Sequence, residues 1–201
     1  GTYLLESWIE HTNEYTMTAA TDGKDTEIFP LAQLHYNDKR QLISVATPAN
    51  IHDDMLKEMQ RIVKSVAASL EYRGVFSVNF YVTSTGTLYV KNIEPGLTSI
   101  ANIYDVTTSV DQYEEQLRSA VGMPLHVITP LQIGLLMVVR NYQSRAIQRQ
   151  WLLKNNWQFR FFNDVGDDDQ AILGFVWVTG GDNLAALKNQ VDDTEVWNDQ
   201  A

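Results

Sequence analysis

Residues 74–96 read Gly-Val-Phe-Ser-Val-Asn-Phe-Tyr-Val-Thr-Ser-Thr-Gly-Thr-Leu-Tyr-Val-Lys-Asn-Ile-Glu-Pro-Gly. Two β-branched and aromatic runs flank Ser84-Thr85-Gly86, the pattern of a β-hairpin. With Thr85-Gly86 as a two-residue loop, Ser84 pairs with Thr87, and counting outward sets Asn79 opposite Asn92. Side chains alternate along a strand. One face then carries Phe76, Val78, Phe80, Val82, Tyr89 and Ile93, with Lys91 its one polar residue. The other carries Ser77, Asn79, Tyr81, Leu88, Val90, Asn92 and Glu94. The first face is suited to a core. On the second, Ser77, Asn79, Asn92 and Glu94 gather at the open end of the ladder. Oxygen-bearing side chains paired in this way could hold a hard cation such as Mg²⁺; a solvated sheet face with a few amides is the commoner arrangement.

The whole chain narrows the function classes. Its 201 residues suit one large domain or two small ones. Hydrophobic residues make up 44%, an ordinary globular share, and no apolar run approaches the length of a membrane-spanning helix. The formal charge of −10 argues against nucleic acid as a partner. There is no cysteine, which removes disulfides and thiolate metal sites and fits a reducing cytoplasm. The opening Gly1-Thr2 lacks a start methionine, and we read the chain as a piece of a longer protein with Gly1 a cloning remnant.

Taken in order, Thr2–Ile9 and Glu14–Ala20 read as strands, the second leading to the Asp22-Gly23-Lys24-Asp25 turn. Short strands follow at Glu27–Phe29, Leu31–Tyr36 and Gln41–Ala46. Pro48–Tyr72 is the clearest helix: Met55, Met59, Ile62, Val63, Val66 and Leu70 recur at intervals of three and four. Asn50 is its expected N-cap, Asp53 and Asp54 favour the positive helix start, and Gly74 is the expected stop. A second helix is expected over Val110–Val121 with Ser109 as N-cap, docking Tyr113 and Leu117 on the sheet. Then come a strand at Leu131–Arg140, a helix at Gln143–Lys154, strands at Trp157–Phe162 and Ala171–Thr179, and a helix at Asn183–Val191. The Asp167-Asp168-Asp169 run lacks the other ligand positions of an EF-hand loop and reads as a solvated turn.

The hairpin resembles the metal-binding hairpin of the ATP-grasp ligases, most closely the carboxyaminoimidazole ribonucleotide synthases, the ATPase subunits of phosphoribosylaminoimidazole carboxylase. The family's strands read GV-x-x-VE-x-FV and NE-x-APR, and their two glutamates hold the Mg²⁺ ions that bridge the ATP phosphates. Those glutamates fall here on Asn79 and Asn92, the preceding asparagine on Lys91 and the arginine on Gly96. Glu94, two residues from Asn92, is the one compensating carboxylate. Glu6-Ser7-Trp8-Ile9, followed by Glu14, resembles the family's hinge; the resemblance places adenine at the Ser7 carbonyl and Ile9 amide and the ribose at Glu14. Phe29-Pro30-Leu31 through Tyr36 is similar to a YPL-x-HN-x-H stretch, with its asparagine on Leu34 and its histidines on Gln33 and Tyr36. His35 is one place out of register and so faces the other way. Leu97–Asn102 replaces PHNSGH. Asp111-Gln112-Tyr113-Glu114, Leu117-Arg118 and Met123-Pro124-Leu125 follow SQFE-x-x-LRA and LPL. Of the terminal RK-x-GH motif only Gly174 survives.

The resemblance implies an α+β fold. Residues 1–125 would be the C-terminal part of an ATP-grasp domain, a mainly antiparallel sheet with covering helices, and 126–201 a small α+β or barrel-like domain. It implies ATP and Mg²⁺ as cofactors, with Glu6, Ser7, Trp8, Ile9, Glu14, Tyr36, Lys91 and Asn92 on the nucleotide and Asn79, Asn92 and Glu94 at a degenerate metal position. The partners implied are a small-molecule nucleotide and a second copy in a homodimer, with neither nucleic acid nor membrane. The activity implied is ATP-dependent carboxylation of aminoimidazole ribonucleotide in cytoplasmic purine biosynthesis. The glycine-rich loop and phosphate-binding lysine of that activity belong upstream of Gly1, and no G-x-x-x-x-G-K element occurs, so the chain alone is expected to be inactive. The alternative is a non-catalytic paralogue serving as a nucleotide-binding, regulatory or dimerisation module.

Overall fold

The computed structural model describes residues 9–162, 166 and 168–198. The organising pair is β1 (Asn13–Thr21) and β5 (Gly74–Val82), antiparallel from Asn13↔Val82 to Thr21↔Gly74. β6 (Leu88–Pro95) pairs with β5 at one edge. On the other side lie β3 (Ala32–Tyr36), β4 (Leu42–Thr47), β7 (Gly134–Arg140), β9 (Ile172–Thr179) and, at the far edge, β8 (Trp157–Phe161). The sheet order is β6-β5-β1-β3-β4-β7-β9-β8, with the short β2 (Thr26–Ile28) paired to β1. Every named pairing is antiparallel.

Alternation sorts the side chains by face. Tyr15, Met17 and Ala19 share a face with Phe76, Val78 and Phe80, and α1 (Asp53–Ser69) lays Met59, Val63 and Ala67 on them. Leu135, Met137 and Val139 continue that face under α4 (Ser144–Leu153) and α5 (Leu184–Asp192), through Ile147, Leu187 and Val191. The opposite face is covered at its centre by a 3₁₀ turn, Ile100–Ile103, running into α2 (Tyr104–Thr107). Ala101, Ile103 and Tyr104 pack there on Leu34, Val45, Leu136 and Trp177. Tyr104 stacks on Phe29 and donates to the Pro30 carbonyl at 2.7 Å. This helical segment is absent from the sequence reading, because too few of its residues show a helical period.

Several local expectations are corrected. The N-cap of α1 is His52, not Asn50, and the helix ends at Ser69 with Leu70 in an extended conformation, not at Gly74. In α3 (Gln112–Val121) the cap is Asp111, whose carboxylate accepts the Glu114 amide, not Ser109. Tyr113 and Leu117 do not dock; they are exposed. Gln112, Glu115 and Ser119 are buried instead. Their surroundings are polar: Gln112 bridges the Thr98 amide and carbonyl, and Glu115 accepts from the His126 amide and ring.

The hairpin carries the correction that matters most. Its loop has three residues, Ser84-Thr85-Gly86, closed by Gly86 N–H on the Thr83 carbonyl at 3.0 Å, with Gly86 at φ +79°. That shifts the near register by one, to Val82↔Leu88, Tyr81↔Tyr89 and Phe80↔Val90. A bulge at Lys91 takes up the slip, and Asn79↔Asn92 is restored. Leu88 and Val90 therefore belong to the core side, and Tyr89 and Lys91 to the polar side, the reverse of the two-residue count.

Two glycines of different kinds give a test. A Cβ on Gly174 would lie 2.1 Å from the Arg160 carbonyl oxygen, backbone that cannot swing away. Gly174→Ala should lower stability by about 2 kcal/mol or more, seen as a melting temperature about 5 °C lower. Gly86 has open space but a left-handed backbone, so Gly86→Ala should cost only about 1 kcal/mol. Equal losses in urea unfolding would contradict the close approach at Gly174.

Candidate functional site

Pairing of β1, β5 and β6 places Glu14, Thr16 and Thr18 beside Ser77, Asn79 and Tyr81, and those beside Asn92 and Glu94, on one face. At the end away from the hairpin loop, Thr18 and Ser77 share a buried hydroxyl hydrogen bond of 2.9 Å. At the end towards the hairpin loop a cleft of about 230 Å³ runs along Glu14, Tyr36, Arg40 and His11. Glu14 is the centre of the cleft. Its carboxylate is only 6% exposed; Oε1 accepts from His11 Nε2 at 2.9 Å and lies 3.3 Å from Arg40, while Oε2 accepts from Lys91 Nζ at 3.1 Å.

The aromatic groups finish this cluster. His11 stacks on Tyr81 with ring centroids 3.8 Å apart. Lys91 Nζ sits 5.1 Å from the centre of the Tyr81 ring and 5.9 Å from that of Tyr36. Burial alone would lower the Lys91 ammonium, but the hydrogen bond and charge of Glu14 outweigh it and hold it above its ordinary value. Burial, then the Glu14 charge, push the Tyr36 phenol up. Lys91 is thus a cation throughout the physiological range, fixed over an aromatic floor.

One ladder step away, Asn79 Nδ2 donates to Asn92 Oδ1 at 3.0 Å, and Asn92 Nδ2 donates to Glu94 Oε1 at 2.9 Å. Asn79 Oδ1 is buried with no partner. The three side chains contribute one negative charge, already taken by an amide. Among the described residues no group of three or more His, Asp or Glu is placed to hold a metal ion. Mg²⁺ is held chiefly by anionic oxygen in a near-octahedral shell. These residues offer it one orphaned amide oxygen, and they do not fit the ion.

Comparisons with known proteins bear on the fold. The ATP-grasp domain family matches residues 1–97. The N5-carboxyaminoimidazole ribonucleotide synthase of Brucella melitensis is 26% identical over 123 residues, 61% of this chain and 34% of that protein. Among solved structures, the N5-carboxyaminoimidazole synthetase of Staphylococcus aureus complexed with ADP superimposes with a TM-score of 0.86 at 18% identity, over 98% of this chain and 52% of that one. The Aspergillus clavatus synthase in complex with ADP and 5-aminoimidazole ribonucleotide gives 0.84 at 14% identity, over 96% and 53%. This is the ATP-grasp fold. The chain spans between a third and about half the length of these relatives.

Glu14, Tyr36 and Lys91 lie together at one end of this sheet face, with Asn92 one ladder step away on the Asn79 side. Glu6, Ser7 and Trp8, and with them the expected strand Thr2–Ile9 up to its last residue, lie outside the described residues; Ile9 is described, outside any strand, with its carbonyl oxygen 2.9 Å from His11 Nδ1. Sequence reasoning missed His11, Arg40 and Tyr81. Alternation placed Tyr81 on this face without assigning it a part; His11 and Arg40 carry no spacing signal, although Arg40, at φ +60° in the β3–β4 turn, is held in a conformation that favours glycine.

His35 points to the opposite face, as its offset predicts, and its Nε2 lies 3.4 Å from Lys188 Nζ on α5. Burial, then Lys188, lower its imidazole from 6.5 to about 4. The folded value lies below the unfolded one, so between those limits the unfolded chain takes a proton that the folded chain refuses. Stability therefore falls as pH drops through this window. His35→Gln should flatten that part of the profile; a wild type-minus-variant difference that is the same at about pH 7 and pH 5 would contradict the assignment.

Proposed function

We propose that the chain is the C-terminal part of an ATP-grasp protein of the N5-carboxyaminoimidazole ribonucleotide synthase type, a cytoplasmic, homodimeric protein of purine biosynthesis. In this reading residues 1–125 complete the nucleotide cleft and 126–201 form a smaller unit, the boundary falling in the connection before β7. The reaction would be ATP-dependent carboxylation of aminoimidazole ribonucleotide. The observation that carries the reading is the buried Glu14 carboxylate at the floor of an open polar cleft, within a fold shared over 94–98% of the chain with synthetases of this type. A carboxylate has about four acceptor sites. His11, Arg40 and Lys91 approach three of them, leaving one for a ribose hydroxyl; a second hydroxyl needs one donor to turn away. Adenine would sit at Ser7 and Ile9.

A second reading is favoured by the Asn79–Asn92–Glu94 relay: a paralogue that keeps the nucleotide cleft as a binding or regulatory module and has given up the chemistry. Binding and turnover separate the two. Calorimetry of the intact protein should show ATP-analogue binding, weakened about tenfold by Glu14→Ala; binding that ignores this change removes the ribose assignment. Formation of the carboxylated ribonucleotide supports the synthase. Nucleotide binding with no product supports the module.

A further inference from the structure

We propose that Lys91 takes the part of a metal ion in this cleft, so that the protein binds a nucleoside diphosphate or triphosphate without a divalent cation. The proposal rests on the nucleotide reading above and goes beyond it in naming the form of the ligand and the group that neutralises it. Phosphate oxygens entering the cleft need a nearby positive charge. The Asn79–Asn92–Glu94 relay cannot recruit one, for it presents a single carboxylate already bonded to an amide.

The cleft has instead a cation of its own. The bulge between Val90 and Asn92 removes Lys91 from the ladder and turns it to the cleft face, where its ammonium reaches across β5 to Glu14 on β1. An ammonium has three N–H bonds. With one N–H on the Glu14 carboxylate and the ammonium lying over the Tyr81 ring, donor capacity is left for a phosphate oxygen. Arg40 lies on the other Glu14 oxygen. Glu14, Lys91 and Arg40 together carry a formal charge of +1 (−1 +1 +1); Glu94, bonded to Asn92 one ladder step away, brings the wider face to zero, so the positive charge offered to an anion is local to Lys91 and Arg40. The side chain of Lys91 remains 34% exposed, accessible to a ligand from solvent.

The test is ADP affinity of the intact protein in excess EDTA and in millimolar Mg²⁺. Wild type should bind equally within about twofold in the two buffers. Lys91→Met should weaken ADP by about tenfold or more in EDTA, and Lys91→Arg should recover most of the loss. The double variant Asn79→Glu with Asn92→Glu should reverse the preference, binding ADP well only with Mg²⁺. Wild-type binding that disappears in EDTA overturns the proposal while leaving the nucleotide reading intact. Lys91→Met binding like wild type does the same. Absence of ADP binding in both buffers overturns both. The comparison of buffers needs no variant, so a Lys91 substitution that unfolds the protein does not shield the idea.

Discussion

The nine-residue antiparallel pairing of β1 with β5 is the constraint on which the site depends. It sends Met17, Ala19, Phe76, Val78 and Phe80 to one face, all fully buried. Each such side chain contributes about 1.5–3 kcal/mol on leaving water for the larger residues. A slip of one residue would put that whole set into the cleft and bury Thr16, Thr18, Ser77 and Asn79 among hydrocarbon. The register is therefore held by the core side, and the polar side inherits its geometry. Glu14 faces its neighbours because Tyr15 and Met17 must face theirs.

On the outer strand the same logic weakens. β6 is an edge, with Tyr89, Val90 and Ile93 all more than 40% exposed. Less apolar burial opposes a local slip there, and a bulge is tolerated where it re-aims a side chain. The three-residue loop and the bulge compensate each other beyond Asn92, which is why Asn79 still meets Asn92. Between loop and bulge every side chain has changed face. Lys91 gains a partner that no regular ladder would give it.

The polar cluster is held by differences in burial. A carboxylate at 6% exposure is costly unless it is paired, and Glu14 is approached by three nitrogen donors from β6, the β3–β4 turn and the segment before β1. Those donors tie three separate pieces of chain to one point. The Asn79–Asn92–Glu94 relay is neutral over its first two members and can satisfy itself by amide hydrogen bonds. Neutral amides at such positions let the strands close without a cation; two further carboxylates beside Glu94 would repel one another.

What the sequence determined by itself is the set of features written in periodicity and local chemistry. The strands from β1 onward, α1 by its three- and four-residue spacing, the Asn79–Asn92 juxtaposition and the opposite aim of His35 were legible. The ATP-grasp fold was legible through the resemblance of the hairpin and its neighbouring motifs to that family, which also marked Asn79 and Asn92 as amides in place of carboxylates. Only the tertiary structure decided that Lys91 enters the cleft, that His11 and Arg40 converge on Glu14, and that α3 buries Gln112 and Glu115 in place of Tyr113 and Leu117. The physical reason is common to these. A bulge, a left-handed turn residue and a polar buried face each depend on partners far along the chain, such as Lys91 on Glu14 and Glu115 on His126. Such partners leave no period in the sequence from which they could be counted.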